Sequence, residues 1–306
     1  MLRLVFVIGF ALIIQGRAVA LASDLQKPAS SSVTVPFDGA NSLIVIDASI
    51  NQKGPYRFVI DTGSSEHMIS REVANTLGLK STGTARVDVG LEEMSNAEQT
   101  NIAELRIGEL ILRNERFFIA PLPKSYPFQG ILGAEFFKQF VVTIDFEHSF
   151  ITLISADRFI NRGLGSRISI KLRNGWMPRV HAEVDGHSGW FKIDTGYNSS
   201  LALFAEFVAK HKSLSNPNSS PVYAPGGQTL AGEVATTRVV PIKLLKLETE
   251  GSKDVVQQNV PAALFTEKGG SNSAYAGAIG ILFLQRYRVT FNYRQRLMIL
   301  ETTPTR

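Results

Sequence analysis

The feature that most constrains this 306-residue chain is an internal duplication. The run Gly130-Ile-Leu-Gly133-Ala-Glu-Phe-Phe-Lys-Gln-Phe-Val-Val-Thr-Ile-Asp-Phe146 aligns without gaps on Gly277-Ala-Ile-Gly280-Ile-Leu-Phe-Leu-Gln-Arg-Tyr-Arg-Val-Thr-Phe-Asn-Tyr293. Matches continue to Leu153 against Leu300. Upstream, Phe58-Val-Ile-Asp61-Thr62-Gly63 aligns on Phe191-Lys-Ile-Asp194-Thr195-Gly196. Both matches fall in the same order, so the chain reads as two copies of one unit. The turn-rich stretch Asn161-Arg-Gly163-Leu-Gly165-Ser166 separates them, which places the expected units at 23–160 and 161–306.

Within each copy the apolar runs are short, β-branched and bounded by turn residues, as at 43–50, 56–60, 168–172 and 191–193. These are strand signals. Helical patterns follow at 71–79, closed by Gly78, and at 203–211, with short apolar helices expected at 134–140 and 281–287. The fold class is therefore mostly β. The Ser/Asn/Pro/Gly-rich stretch 213–232 reads as an exposed loop, and the polar stretch 246–258 as an insertion. His181 and His187 flank a hairpin turn expected at Asp185-Gly186 and read as surface residues.

Arg3, an unbroken apolar run over 4–14 and Ala20-Leu21-Ala22 form the three parts of a secretory leader, so residues 1–22 are expected to be removed. Gln15-Gly16-Arg17 interrupts the apolar run short of the roughly 20 residues a spanning helix needs. The expected mature protein has no membrane span and is periplasmic or secreted. The chain has no cysteine, which removes disulfides, thiolate metal sites and cysteine nucleophiles from consideration. An exported chain without cysteine suits a bacterial periplasm. The formal net charge of +5 falls to +3 once Arg3 and Arg17 leave with the leader, too little for a nucleic-acid footprint. There is no Gly-x-Ser-x-Gly elbow, no His-Glu-x-x-His helix and no dinucleotide or phosphate loop, and neither a cofactor nor a metal is expected.

The chemistry lies in the two Asp-Thr-Gly triplets. A single triplet reads most simply as a β-turn. Two, each closing a Phe-x-Ile strand and each followed by a helix and a Gly-apolar-apolar-Gly element, do not. The arrangement resembles the aspartic peptidases, the clan of pepsin and the retroviral proteases, over residues 33–301. That resemblance implies two β-rich lobes with an active-site cleft between them, each lobe giving one Asp-Thr-Gly loop. It implies Asp61 and Asp194 as a catalytic dyad, and Thr62 and Thr195 as a scaffold linking the loops through their hydroxyls. The residue types suit the task. Peptide hydrolysis by carboxylates needs one group to take a proton from water and one to protonate the substrate carbonyl. Adjacent aspartates share a proton because both cannot ionise cheaply, and aspartic proteases are a known case. Gly63 and Gly196 leave room for close approach.

Departures from pepsin point to the retropepsin-like bacterial proteins of the clan, duplicated and fused. Only residues 23–32 separate the leader from the first strand, so pepsin-type zymogen control is not expected, and no tyrosine is placed to serve as a flap tyrosine. Both triplets lie in one chain, so a monomer acting on a peptide or protein substrate is expected. The segments 90–95 and 226–232 are equally readable as flaps or as ordinary surface hairpins. Ser64 follows the first triplet, and its hydroxyl is expected to donate to Asp61 and make it the more acidic of the pair. Tyr197 stands at the matching place in the second copy, where its ring threatens to crowd the cleft. The functional expectation is an exported aspartic endopeptidase using water as nucleophile; the alternative is a non-catalytic peptide- or ligand-binding protein on the same scaffold.

Overall fold

The computed structural model describes residues 32–39, 42–89, 92–161, 163–173, 176–215, 222–228, 234–251, 253–265 and 274–302. The expected leader lies outside them. The first copy runs β1 (Ser32–Pro36), β2 (Val45–Ile50), β3 (Lys53–Ile60), β4 (His67–Ser70), α1 (Arg71–Leu77), β5 (Gly83–Val89) and β6 (Glu92–Ile107). It continues through β7 (Leu110–Ala120), β8 (Gly130–Leu132), α2 (Ala134–Gln139), β9 (Phe140–Asp145) and β10 (Phe150–Ser155). The second runs β11 (Ser166–Ser169), β12 (Lys171–Arg173), β13 (Met177–Val184), β14 (His187–Ile193), β15 (Leu201–Leu203) and α3 (Ala205–Lys210). It closes with β16 (Val222–Gln228), β17 (Val234–Leu247), β18 (Val255–Leu264), β19 (Gly277–Ile279), α4 (Ile281–Leu284), β20 (Tyr287–Asn292) and β21 (Leu297–Thr302).

Three sheets organise these strands. A seven-stranded sheet, β2-β3-β8-β4-β7-β6-β5, forms the first lobe, and an eight-stranded sheet, β12-β13-β14-β19-β15-β18-β17-β16, the second. A six-stranded sheet, β1-β10-β9-β20-β21-β11, draws on both copies and joins the lobes. The duplication is exact in its pairing: β8 lies parallel to β3 with Ile60 opposite Leu132, and β19 lies parallel to β14 with Ile193 opposite Ile279. At the junction β9 pairs with β20, and Thr143 meets its own repeat partner Thr290 through their hydroxyls at 2.9 Å.

Local chemistry explains the elements. In α1 the Ser70 hydroxyl accepts from the Val73 N–H at 3.2 Å, and Gly78 ends the helix at φ 67. The turn between β13 and β14 has Asp185 and Gly186 at φ 46 and 85, which suits a hairpin. Alternation fails as a guide in the stretch 213–232. There Lys212–Ser215 forms a 3-10 turn, and Val222–Gln228 is a strand, not loop, because it pairs along β17. Its Pro225 is accommodated at a register shift between Pro225 and Gly227. The stretch 246–258 forms the β17–β18 hairpin, whose connection at 248–254 is longer than that at 108–109 in the first copy, and Gln258 faces solvent. The two candidate flap segments fall at the tips of the hairpins β5–β6 and β16–β17. Residues 90–91 and 229–233 lie outside the described residues.

A single apolar core runs from the first lobe through the shared sheet into the second. Phe137 sits at the junction, edge-on to Phe291 at 5.5 Å and stacked on Tyr293 at 5.4 Å. Phe137→Ala is expected to cost about 3–5 kcal/mol. Because the core is continuous, urea unfolding followed by circular dichroism and by fluorescence is expected to show one coincident transition. Two separated transitions would show that the lobes are energetically independent.

Candidate active site

The site forms where β3 and β14 run out. Phe58 and Ile60 face the common core, as do Phe191 and Ile193, so the aspartates that follow emerge at the end of rigid, buried strands. The Gly-apolar-apolar-Gly elements hold them from behind: the Asp61 N–H donates to the Leu132 carbonyl and the Asp194 N–H to the Ile279 carbonyl, both at 3.0 Å. The loops close on them in the same way, with Ala134 N–H donating to the Ser64 carbonyl and Ile281 N–H to the Tyr197 carbonyl, each at 2.9 Å.

Thr62 and Thr195 interlock. The Thr62 N–H donates to Thr195 Oγ1 and the Thr195 N–H to Thr62 Oγ1, each at 3.0 Å. Each hydroxyl then donates across the lobe boundary, Thr62 to the Ile193 carbonyl and Thr195 to the Ile60 carbonyl, both at 2.8 Å. All of this is buried. Above it, each carboxylate accepts from the glycine of its own triplet: Asp61 Oδ1 from Gly63 N–H at 2.6 Å, and Asp194 Oδ1 from Gly196 N–H at 3.0 Å. Each glycine also lies against the opposite aspartate, so that a Cβ on Gly63 would collide with the Asp194 carboxylate and one on Gly196 with that of Asp61. The duplicated positions thus come together, close enough for the Asp194 charge to act on the Asp61 carboxyl.

The two aspartates are unequal, in the sense opposite to the sequence expectation. Ser64 does not support Asp61: its hydroxyl donates to the Glu66 carbonyl at 2.8 Å, a local turn contact. The asymmetry comes from Lys192. Its Nζ lies 3.2 Å from Asp194 Oδ2 and donates to the Gly63 carbonyl at 3.0 Å. Its side chain is 1% exposed. Burial, followed by the charge of Asp194, pushes the Asp61 carboxyl from 3.8 up to about 7, with Lys192 opposing the rise. An ammonium against Asp194 and a raised carboxyl on Asp61 put the shared proton on Asp61.

Lys192 is legible in the alignment, since it stands where the first copy has Val59, between the buried apolar Phe191 and Ile193. A charge in the middle of a buried strand is the signal, and motif matching passes over it. Tyr197 turns its ring onto an apolar patch of Ala202, Phe204, Ala263, Phe265, Tyr275 and Ala278. Burial pushes its hydroxyl up to about 12. A second residue beyond the motif is His67, fully buried behind the first loop, where Nδ1 accepts from the Gly133 N–H at 3.2 Å. Burial and then the Arg116 charge lower His67 to about 3, so it stays neutral and serves as an acceptor.

The comparisons agree with this geometry. A model of the aspartyl protease family matches residues 46–136, most of the first lobe. The aspartic proteinase from Irpex lacteus has the same fold, with a TM-score of 0.61 at 13% identity, covering 89% of this chain and 98% of its own. Basic 7S globulin from soybean superimposes at a TM-score of 0.51 and 11% identity, covering 89% of this chain and 95% of its own. No curated protein matches the sequence. The chain thus has the fold of the aspartic proteinases, and its first lobe matches the aspartyl protease family.

The threonine interlock generates a stability prediction. Thr62→Val leaves a buried N–H and a buried carbonyl without partners, and is expected to cost about 2–4 kcal/mol. Thr62→Ser is expected to retain most of that stability. The measurement is denaturant unfolding of both variants; equal stability of the two would show that the hydroxyl is dispensable.

Proposed function

We propose that the protein is an exported aspartic endopeptidase, acting as a monomer on peptide or protein substrates after loss of residues 1–22. The observation that carries the reading is the pairing of Asp61, whose carboxyl is raised to about 7, with Asp194, held against Lys192. In this reading Asp194 takes a proton from water as the water oxygen attacks the scissile carbonyl carbon. Asp61 gives its proton to the carbonyl oxygen, which yields a tetrahedral diol. Asp194 then gives its proton to the amide nitrogen while Asp61 takes one from a diol hydroxyl, which breaks the C–N bond and releases the amine and the acid. Both aspartates end in the protonation states in which they began. No covalent intermediate, cofactor or metal enters the scheme. Among the described residues no helix is long and apolar enough to cross a membrane.

A second reading, a non-catalytic binder on the same scaffold, draws on the same lysine, since an ammonium held 3.2 Å from Asp194 engages one carboxylate of the pair. Turnover separates the two. Purified protein is expected to cleave an unstructured protein such as casein at acidic to neutral pH. Asp61→Asn and Asp194→Asn are each expected to abolish cleavage, with the double variant hardly worse, because residues acting as a unit are not additive. Cleavage surviving in either variant, or absent in the parent, refutes the peptidase reading.

Lys192 gives the reading a pH signature. Its charge favours the ionised dyad. Lys192→Met is therefore expected to move both limbs of the bell-shaped activity profile to higher pH, by about one unit or more. Lys192→Arg retains a charge and is expected to stay nearer the parent profile. An unmoved profile in a folded, active Lys192→Met protein would show that the lysine does not tune the dyad.

A further inference from the structure

The two lobes turn opposite chemistry toward the aspartates. Val59 and Lys192 occupy the same place in the two copies, on the strand face away from the common core. In the first lobe Val59 is paired with Val45 across β2 and with Ile131 across β8. All three belong to a wholly apolar cluster that also contains Met68, Phe118 and Phe128. In the second lobe Lys192 is paired with Arg179 across β13 and with Ala278 across β19. Tyr275 is the repeat counterpart of Phe128. Three apolar positions of the first lobe, Val45, Val59 and Phe128, are thus Arg179, Lys192 and Tyr275 in the second. Residues directly opposite on a sheet share a face, so these substitutions fall on one surface.

That surface is built and uncompensated. The Arg173 guanidinium lies 5.3 Å from the Tyr275 ring centre, and that of Arg179 lies 5.0 Å from the ring centre of Trp190, which also carries Lys171 at 4.6 Å. The aromatic rings fix the cations in place. Among the described residues neither Arg173 nor Arg179 has an ion-pair partner. Tyr275 is 6% exposed, its buried hydroxyl lies within reach of the Arg173 guanidinium, and Arg179 Nε is a buried polar atom with no partner among the described residues. Lys192, Arg173 and Arg179 all act on that hydroxyl electrostatically. Lys192 is committed to Asp194, which leaves, among the described residues, two guanidinium groups without a carboxylate and a phenol without an acceptor beside the dyad.

We propose that Arg173, Arg179 and Tyr275 form a subsite for a peptide carboxylate, on the second-lobe side of the Asp61/Asp194 pair. The inference rests on the peptidase reading for its substrate and names the class: peptides with an apolar residue toward the first lobe and a carboxylate toward the second. The carboxylate comes from an aspartate or glutamate side chain or from the free C-terminus of a short peptide. Guanidinium forks match a carboxylate in geometry, and the phenol supplies a further donor.

The test is binding to the full protein carrying Asp61→Asn, followed by fluorescence anisotropy. The probes are short labelled peptides with a central Phe-Leu pair and a single Asp scanned along the chain, against the same series with Asn. A second pair differs only in a free or amidated C-terminus. The expected result is at least about tenfold tighter binding for the carboxylate at one or two adjacent positions. The preference falls as salt is raised. Arg173→Met and Arg179→Met are each expected to remove most of the preference while leaving the Asn peptides unaffected, and Arg179→Lys to keep part of it. The scan and the C-terminal pair show which source of carboxylate is read. If the methionine variants do not fold, the salt dependence in the otherwise unaltered protein decides. Equal binding of Asp and Asn series with equal binding of the C-terminal pair, no binding of any peptide, or a preference that survives the methionine variants would overturn the proposal. Cleavage by the parent protein is scored separately. Preferential binding without cleavage leaves the subsite standing and removes the peptidase reading; cleavage without preference does the reverse.

Discussion

Two carboxyl groups buried in contact repel one another as soon as both ionise, and the rest of this structure is arranged to hold them there. The restraint is mechanical before it is electrostatic. Thr62 and Thr195 each accept the other's backbone N–H and each donate to a carbonyl of the opposite strand, so neither loop can withdraw without breaking buried bonds in both. Such bonds add little when made and cost much when broken, because the freed groups have no water to turn to. The strands beneath are anchored in one continuous core and cannot yield to the repulsion.

A duplicated chain reaches this geometry economically. Residues that are equivalent in the two copies meet one another where the copies face: Thr62 meets Thr195, and Thr143 meets Thr290. Each side chain needs only to be complementary to itself, which is the logic of a two-fold interface folded into one chain. Once joined, the copies are free to diverge. The change at Val59 and Lys192 gives one aspartate a cation and leaves the other in an apolar surround. Two carboxyl groups at equivalent positions thereby stand in unequal surroundings. The same divergence extends outward to Arg179 and Tyr275, so the electrostatic difference at the dyad and the difference between the cleft walls have one origin.

Much of this was legible in the residues. The repeat located both aspartates, the threonines and the strands crossing behind them, because each depends on short motifs whose local conformation is nearly self-determined. Gly78 and Asp185-Gly186 marked a helix end and a turn for the same reason. What was not legible depends on long-range pairing. Val222–Gln228 looks like loop and becomes strand through β17, and the polar stretch 246–258 is ordered by the pairing of β17 with β18. Ser64 was expected to support Asp61 on sequence adjacency, yet the loop turns its hydroxyl to Glu66. Lys192 was visible in the alignment, but its role depends on where a flexible side chain of four methylenes ends, and only the folded arrangement of Asp194 and Gly63 settles that. His67 was one of five scattered histidines until the chain brought it behind Gly133.

The central claim is that the dyad is polarised, with the proton on Asp61 and Asp194 held against Lys192. The most direct measurement is the titration of both aspartate side-chain carboxyl carbons by 13C NMR. The account predicts that the Asp61 carboxyl keeps its proton from its ordinary value of 3.8 up to about 7. An Asp61 carbon that reads as ionised across the same interval, with the proton on Asp194, would contradict it.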